Sequence, residues 1–378
     1  MASTVAPRGL RRLVVKVGTS VLTGGTKGLN RPRMVELVRQ IARLLSQGHE
    51  VVLVSSGAVL AGRERLSHPQ LGHDIPIKQV LAAIGQGRLM HVYEQLFEIY
   101  DLPVAQVLLT REDLRDRHRY LNARNTLLAL LERRIVPIIN ENDAVATEEI
   151  RVGDNDNLSA LVANLVEAEL LILLTDMAGL YSADPRVDPQ AVLIPEVTCI
   201  DAEIYRLAGG ARSGQGTGGM LTKVQAADLA TRCGSDVIVA CGDVDGVLLR
   251  LVNGERLGTR FPASGGRLEA RKRWILADTA PEGTLTVDAG AAQALLGEGK
   301  SLLAVGVAAV QGTFERGATV RITDNQGREI ARGVTNYGAA EVAIIKGHHS
   351  REIEERLGYA YGSEVVHRDN MVVLARSN

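Results

Sequence analysis

Residues 135–169 read IVPIINENDAVATEEIRVGDNDNLSALVANLVEAE, and the alternation inside that stretch decides the fold class. Val136 to Ile139 is an apolar strand that ends in Asn140-Glu141-Asn142-Asp143. A short extended segment leads to Gly153-Asp154-Asn155-Asp156-Asn157, which opens an apolar-periodic helix from Leu158 to Val166. Leu170 to Leu174 follows as an unbroken apolar run, the pattern of a strand covered on both faces. Strand, helix and buried strand in that order predict a parallel sheet with right-handed crossovers. Asn and Asp are ordinary cap and turn residues, because their short side chains bond nearby backbone. A helix cap needs one of them, however, and the two clusters together have seven. Two clusters of amides and carboxylates, one where a strand ends and one where a helix begins, predict a lip that grips a small, polar, charged ligand.

The alternation extends on both sides. Leu13 to Val17 is a short apolar strand interrupted by Lys16 and followed by Gly18-Thr19-Ser20 and a glycine-rich loop, Thr23 to Gly28. A lysine beside a glycine at a strand's C-terminal end sits where open α/β sheets place ligands; the plainer alternative is a charge on an edge strand. Arg31 to Gln47 carries apolar residues at helical spacing and stops at Gly48. The strand Val51 to Val54 runs into Ser55-Ser56-Gly57-Ala58 and another helix, a turn whose hydroxyls and free N–H groups suit an anion. Ile77 to Tyr100 predicts one or two helices, Val104 to Leu109 a strand and Arg119 to Arg133 a helix.

On the C-terminal side, Leu174 is followed by Thr175-Asp176-Met177-Ala178-Gly179. Arg212 to Gly219 is almost entirely small residues and leads into Met220-Leu221-Thr222-Lys223, the start of a helix to about Arg232. Exposed N–H groups, a positive helix end and a mobile cation make that junction a phosphate cradle; a flexible linker is the alternative. Val237 to Ala240 is the last clear strand of this layered α/β domain. Between Arg250 and Trp274 the chain is polar and basic, with Pro262 and Gly265-Gly266, and reads as an interdomain connection. Beyond about Glu282, short strands are expected at Leu302 to Val310, Ala318 to Thr323, Arg328 to Thr335 and Met371 to Ala375, with Asp324 to Gly327 as a hairpin turn. They predict a small, barrel-like β domain with one or two short helices. The expected organisation is an α/β domain over 1–260, a linker over 261–281 and a β domain over 282–378. Ala294 to Ser301 (ALLGEGKS) fits a relaxed P-loop pattern, but a helix is expected before it and a strand after it, the reverse of what a P-loop needs.

Composition narrows the partners. At 378 residues the chain has room for two domains. A net charge of −1 argues against a general nucleic-acid or membrane-surface binder, which uses a basic excess. Cys199, Cys233 and Cys241 lack CxxC spacing and read as buried free thiols, which fits a cytoplasmic location. No apolar run follows the early arginines and none reaches about 18 residues, so no targeting or membrane segment is expected. The eight histidines show no zinc-like spacing, and no protein metal ligands are predicted. Lysine is scarce, seven residues against 36 arginines (43 minus 7), so a lysine in an unusual place asks for a reason.

VVKVGTS, VVLVSSGAV, PIINENDAV, VGDNDNLSA, LLTDMAGLY and GTGGMLTK occur in this order. Together they resemble the glutamate 5-kinase branch of the amino acid kinase family, followed by a PUA domain, over essentially the whole chain. The resemblance implies an α/β/α sandwich with a mainly parallel central sheet and a small mainly-β PUA-like domain. It implies a phosphotransferase that uses ATP with Mg2+ to phosphorylate the side-chain carboxylate of L-glutamate, giving L-glutamyl 5-phosphate in the first step of proline biosynthesis. A carboxylate with a pKa of about 4.3 is already ionised at neutral pH and needs no general base. The difficulty is repulsion between two anions, which calls for cations and N–H dipoles rather than a Ser-His-Asp set.

Carried onto matching positions, the family roles place Lys16 and Lys223 on the transferring phosphoryl group and Asp156 between them as the group that orients both. Gly18 and nearby N–H groups would bind the same phosphate. Ser56, Asp143 and Asn155 would form the glutamate site with Asn140 nearby, Asp143 pairing with the substrate ammonium. Thr175 and Asp176, with Thr217, Gly218, Gly219, Met220, Leu221, Thr222 and Lys223, would hold ATP. An acidic lip suits a zwitterion, since an amino acid brings its own ammonium. The family further implies feedback inhibition by proline, a homodimer or homotetramer, and hand-over to a glutamate-5-semialdehyde dehydrogenase (glutamyl phosphate reductase). Two other readings remain open. One is a kinase of the same fold acting on another carboxylate. The other is an RNA-binding protein, since PUA domains occur there; against it, residues 282–378 hold 10 Lys+Arg and 12 Asp+Glu.

Overall fold

The computed structural model describes residues 9, 11–67, 74–146, 155–209, 219–264 and 281–374. By its internal contacts the chain divides into two units, Met1–Leu114 with Ala123–Gly266, and Arg115–Asn122 with Arg267–Asn378.

The first unit is built on seven strands: β1 (Arg12–Val17), β2 (Glu50–Ser55), β3 (Val104–Leu109), β4 (Val136–Glu141), β5 (Leu170–Thr175), β6 (Asp236–Cys241) and β7 (Thr259–Phe261). They form one sheet in the order β3-β4-β2-β1-β5-β6-β7. All neighbours are parallel except β7, which runs antiparallel to β6. Every residue of β4 and β5 is buried, as unbroken apolar runs demand when helices cover both faces. The chain winds outward from β1 on one side through β2 and on the other through β5 and β6. That reversal makes the C-terminal end of β1 a topological switch point, where open sheets leave a crevice.

The helices are α1 (Thr19–Thr23), α2 (Arg31–Ser46), α3 (Ala58–Leu66), α4 (Ile75–Glu98), α5 (Arg111–Arg115), α6 (Arg117–Glu132), α7 (Asn155–Leu165), α8 (Ala202–Gly209), α9 (Met220–Arg232) and α10 (Val247–Val252). Asn30 starts α2 by accepting a hydrogen bond from the Arg33 N–H at 3.3 Å, and the next residue but one is a proline, which a first turn tolerates. Met34, Val38, Ile41 and Leu44 then face the core with Tyr93 and Phe97 of α4. Where α3 meets α4, a Cβ at Gly85 would lie 1.8 Å from the Ala58 carbonyl oxygen, and one at Gly62 would lie 2.0 Å from that of Leu81. Backbone touches backbone there, so both positions have to be glycine.

Several sequence expectations shift. The region from Ile77 to Tyr100 is one helix beginning at Ile75. Strand β4 runs two residues past Ile139, which places Asn140 and Glu141 inside the sheet. Helix α7 starts at Asn155 instead of Leu158, because the polar cluster forms its first turn. Thr19–Thr23 is a single helical turn before the glycine-rich loop. The stretch from Arg250, expected to be an irregular connection, carries the end of α10 and then β7, whose Thr259 and Phe261 are fully buried. Three residues are too few to show a period, which is why β7 was not visible.

The second unit carries a five-stranded sheet in the order β10-β8-β11-β12-β14, with β8 (Gly283–Val287), β10 (Val307–Gly312), β11 (Thr319–Thr323), β12 (Glu329–Val334) and β14 (Met371–Val373). A separate pair joins β9 (Leu302–Leu303) to β13 (Glu364–Val366). Helices lie at Ala289–Glu298, Ala339–Ile345 and Ile353–Leu357, one more than expected. Asp324 to Gly327 makes the expected turn: the Asp324 carboxylate accepts from the Gln326 and Arg328 N–H groups at 3.0 Å each, and Gly327 takes a φ of +78° that favours glycine. The expected strand from Leu302 to Val310 is broken by a 3-10 turn at Ala304–Gly306, where a Cβ on Gly306 would meet that of Ala291 at 2.6 Å. Among the described residues the sheet is a ladder of five strands with β10 and β14 at its edges, so the expected barrel is not closed by strand pairing.

Candidate active site

A cleft of about 1110 Å3 opens in the first unit at the C-terminal ends of β1, β2, β4 and β5. Its charged end is built by three elements. Lys16 is the fifth residue of β1, held in register with Val54 of β2 and Leu173 of β5. Asp156 sits in the first turn of α7, where a carboxylate complements the helix dipole. Thr222 and Lys223 lie in the first turn of α9.

These side chains converge. The Lys16 Nζ is 2.6 Å from Asp156 Oδ1, and the Lys223 Nζ is 3.1 Å from Oδ2. The Thr222 hydroxyl donates to Oδ2 at 2.7 Å. Asp156 is only 1% exposed and both lysines are 6% exposed. Burial alone would push the Asp156 carboxyl up; the two ammonium charges, with hydrogen bonds from Lys16 and Thr222, overcome it and hold the group well below the usual carboxylate range. The lysines line the cleft and Asp156 lies behind them as their common counter-ion. Removing that carboxylate would leave two buried cations uncompensated.

The opposite end is made of amides. Asn140 Nδ2 donates to Gln86 Oε1 of α4 at 2.8 Å, and the Glu141 N–H donates to Asn140 Oδ1 at 2.9 Å. Asn155 Nδ2 donates to Asn140 Oδ1 and to Ser56 Oγ, both at 2.9 Å. Asp143 follows in the turn after β4 and lines the same cleft. Burial pushes its carboxyl up to about 6. Gly57, at φ +105°, precedes α3 with no side-chain cap for the first-turn N–H groups, and Ala58, Val59 and Leu60 line the cleft.

Gly18, Thr175, Asp176, Gly219 and Met220 line the same cleft. The Thr175 hydroxyl donates to Asp176 Oδ1 at 3.0 Å. The loop after β5 is tied down from β7: the Leu180 N–H donates to Thr259 Oγ1 at 2.8 Å, and that hydroxyl donates to the Ile194 carbonyl at 2.6 Å. Of the positions expected to hold a nucleotide, Thr222 is buried against Asp156, Leu221 is exposed and outside the cleft lining, and Thr217 and Gly218 lie outside the described residues.

Sequence reasoning passed over four contributors. Lys78 of α4 lines the cleft, and the scarcity of lysine was the available signal for it. Glu141 supplies the backbone N–H that holds Asn140. Thr259 sits in a stretch read as linker. Gln86 gave no signal at all, since a glutamine within a helix is unremarkable until its neighbours are known.

The amino acid kinase family model matches residues 11–241 and the PUA domain model residues 283–357. A glutamate 5-kinase from Herpetosiphon aurantiacus is 62% identical over 361 residues, which cover 96% of this chain and 98% of the relative. The glutamate 5-kinase of Deinococcus radiodurans is 58% identical, covering 96% of this chain and 100% of the relative. That of Serratia marcescens is 56% identical, covering 97% and 99%. The chain belongs to the amino acid kinase family, in the glutamate 5-kinase branch with a PUA domain.

Proposed function

We propose that this chain transfers the terminal phosphoryl group of ATP to the side-chain carboxylate of L-glutamate, forming L-glutamyl 5-phosphate at the entry to proline biosynthesis. The observation that carries the reading is a single cleft with two chemically different ends, a lysine–aspartate–lysine set and a cup of amides beside an acid. A carboxylate oxygen attacks the γ-phosphorus while the bond to the β–γ bridging oxygen breaks, and ADP leaves. No proton has to move, because the nucleophile is ionised already. What the reaction needs is charge neutralisation along the line of transfer. Lys16 and Lys223 supply it, with Asp156 holding them and Thr222 holding Asp156. The backbone at Gly18 completes the phosphate side. Thr175, Asp176, Gly219 and Met220, with Thr217 and Gly218, form the nucleotide wall.

Lys16, Lys223 and Asp156 together carry one net positive charge, less than a triphosphate requires, which favours Mg2+ arriving on the nucleotide. In the cup, Ser56 and the α3 N–H groups take a carboxylate, while Asp143 and Asn155 take the ammonium and Asn140 holds Asn155. Proline, a cyclic amino acid with the same α-carboxylate and a charged nitrogen, would compete for that cup as a feedback inhibitor. We extend the reading to a cytoplasmic homodimer or homotetramer that passes its reactive acyl phosphate to a reductase. Among the described residues no helix is long and apolar enough to cross a membrane. An ATP-dependent hydroxamate assay over L-glutamate, L-aspartate, N-acetylglutamate and carbamate tests the reading. Activity on L-glutamate is expected, and activity confined to any of the others would overturn it.

A further inference from the structure

We infer that Gln86 is a positioning residue that sets the polarity of the amino-acid cup, and through it the preference for a substrate bearing an ammonium group. The inference rests on L-glutamate being the substrate.

An amide side chain fits its pocket either way round, with oxygen and nitrogen exchanged, so its partners decide which atom goes where. One bond removes that freedom here. The Glu141 backbone N–H can only donate, and it meets Asn140 at 2.9 Å, so the Asn140 atom at that point is the oxygen. The Asn140 nitrogen then faces the other way and needs an acceptor, which Gln86 Oε1 provides at 2.8 Å. The same Asn140 oxygen requires a donor from α7, so Asn155 turns its nitrogen inward and gives its two protons to Asn140 Oδ1 and Ser56 Oγ. Two consequences reach the cleft. Asn155 Oδ1 is left buried and without a hydrogen-bond partner among the described residues, in a residue that is only 8% exposed and lines the cleft. Ser56 Oγ already accepts one bond, so its own proton is free to be donated. The cup therefore presents an acceptor at Asn155 and a donor at Ser56, the two halves of a site for a zwitterion.

Gln86 anchors the inner end of this chain of amides. It is 9% exposed and follows Gly85, whose missing Cβ lets α4 lie against α3 and brings Gln86 to the end of β4. Without its oxygen, the Asn140 nitrogen would be a buried donor with nothing to meet, a cost that Asn140 escapes only by swinging away and giving up its bond from the Glu141 N–H. Asn155 would then lose the acceptor that fixes it, and could present NH2 to the incoming ammonium.

The test compares Gln86→Met, which keeps bulk but removes the acceptor, with Gln86→Glu, which keeps an oxygen toward Asn140. Glutarate is L-glutamate without the ammonium. Its inhibition constant divided by the L-glutamate KM reads how well the cup recognises that group. In Gln86→Met this ratio should fall about tenfold, with kcat and the ATP KM within about threefold of wild type. Gln86→Glu should keep the ratio near wild type. Thermal melts accompany both, and Gln86→Leu replaces Gln86→Met if the latter does not fold. If Gln86→Met weakens glutamate and glutarate equally, leaves both unchanged, or is matched by Gln86→Glu, the inference fails. A wild-type protein inactive on L-glutamate would instead defeat the proposed function.

Discussion

The two ends of the cleft solve opposite electrostatic problems. At one, Lys16, Asp156 and Lys223 are buried and already paired, and both Asp156 oxygens are occupied. At the other, neutral amides are paired with each other, while burial pushes Asp143 up to about 6. The charged set is paired within the protein itself, and in the proposed reading it acts on charge that shifts during phosphoryl transfer. In the proposed reading the cup offers Asp143 to the ammonium that an amino acid brings. Turnover and substrate affinity should therefore separate cleanly between the two ends.

The hardest way to break this division is at Asp156. Asp156→Ala leaves two buried ammonium groups unpaired and should cost about 3–5 kcal/mol of stability, read by urea denaturation, together with essentially all activity. Next come the lysines. Lys16→Ala or Lys223→Ala should fold and should lower kcat by roughly 100- to 1000-fold, the scale on which a transition-state charge partner acts.

The cup is sharpened by pH. In the proposed function the ionised form of Asp143 pairs with the ammonium, and burial raises its pKa above the ordinary value, so affinity should be complete above about pH 6 and be lost as pH falls through it. The substrate carboxylate, with a pKa near about 4.3, stays mostly ionised in that window. The L-glutamate KM should rise about tenfold per pH unit below 6 in the wild type and stay flat in Asp143→Asn. The smallest effect is expected at Gly18→Ala. Its Cβ would find ordinary contacts, 3.6 Å from both the Leu174 carbonyl and Lys16 Nζ, so the fold should survive. Turnover should drop by about tenfold or less, because a methyl group would stand beside the ammonium that meets the phosphoryl group.

Much of this was legible in the chain. Continuous apolar runs such as Leu170 to Leu174 announce buried parallel strands, and glycine-rich turns announce where those strands end. Lys16 and Lys223 stood out because lysine is rare here. What stayed hidden depends on tertiary approach. The three residues of β7 carry no period, yet Thr259 ties down the loop after β5. Gln86 becomes informative only once Gly62 and Gly85 let two helices touch. The opening stretch looked like one polar lip. In the fold it splits between adjacent residues: Asn155 bonds to Ser56 in the proposed amino-acid cup, and Asp156 bonds to the lysines.

The separation of the two ends is tested most directly by kcat and the L-glutamate KM measured in one assay for Asp143→Ala and Lys223→Ala. Asp143→Ala should raise KM by roughly 10- to 100-fold while kcat at saturation stays within about threefold of wild type, and Lys223→Ala should do the reverse. If Asp143→Ala left KM unchanged, or if its kcat stayed as low at saturating glutamate as that of Lys223→Ala, the division of the cleft into a binding end and a transfer end would be wrong.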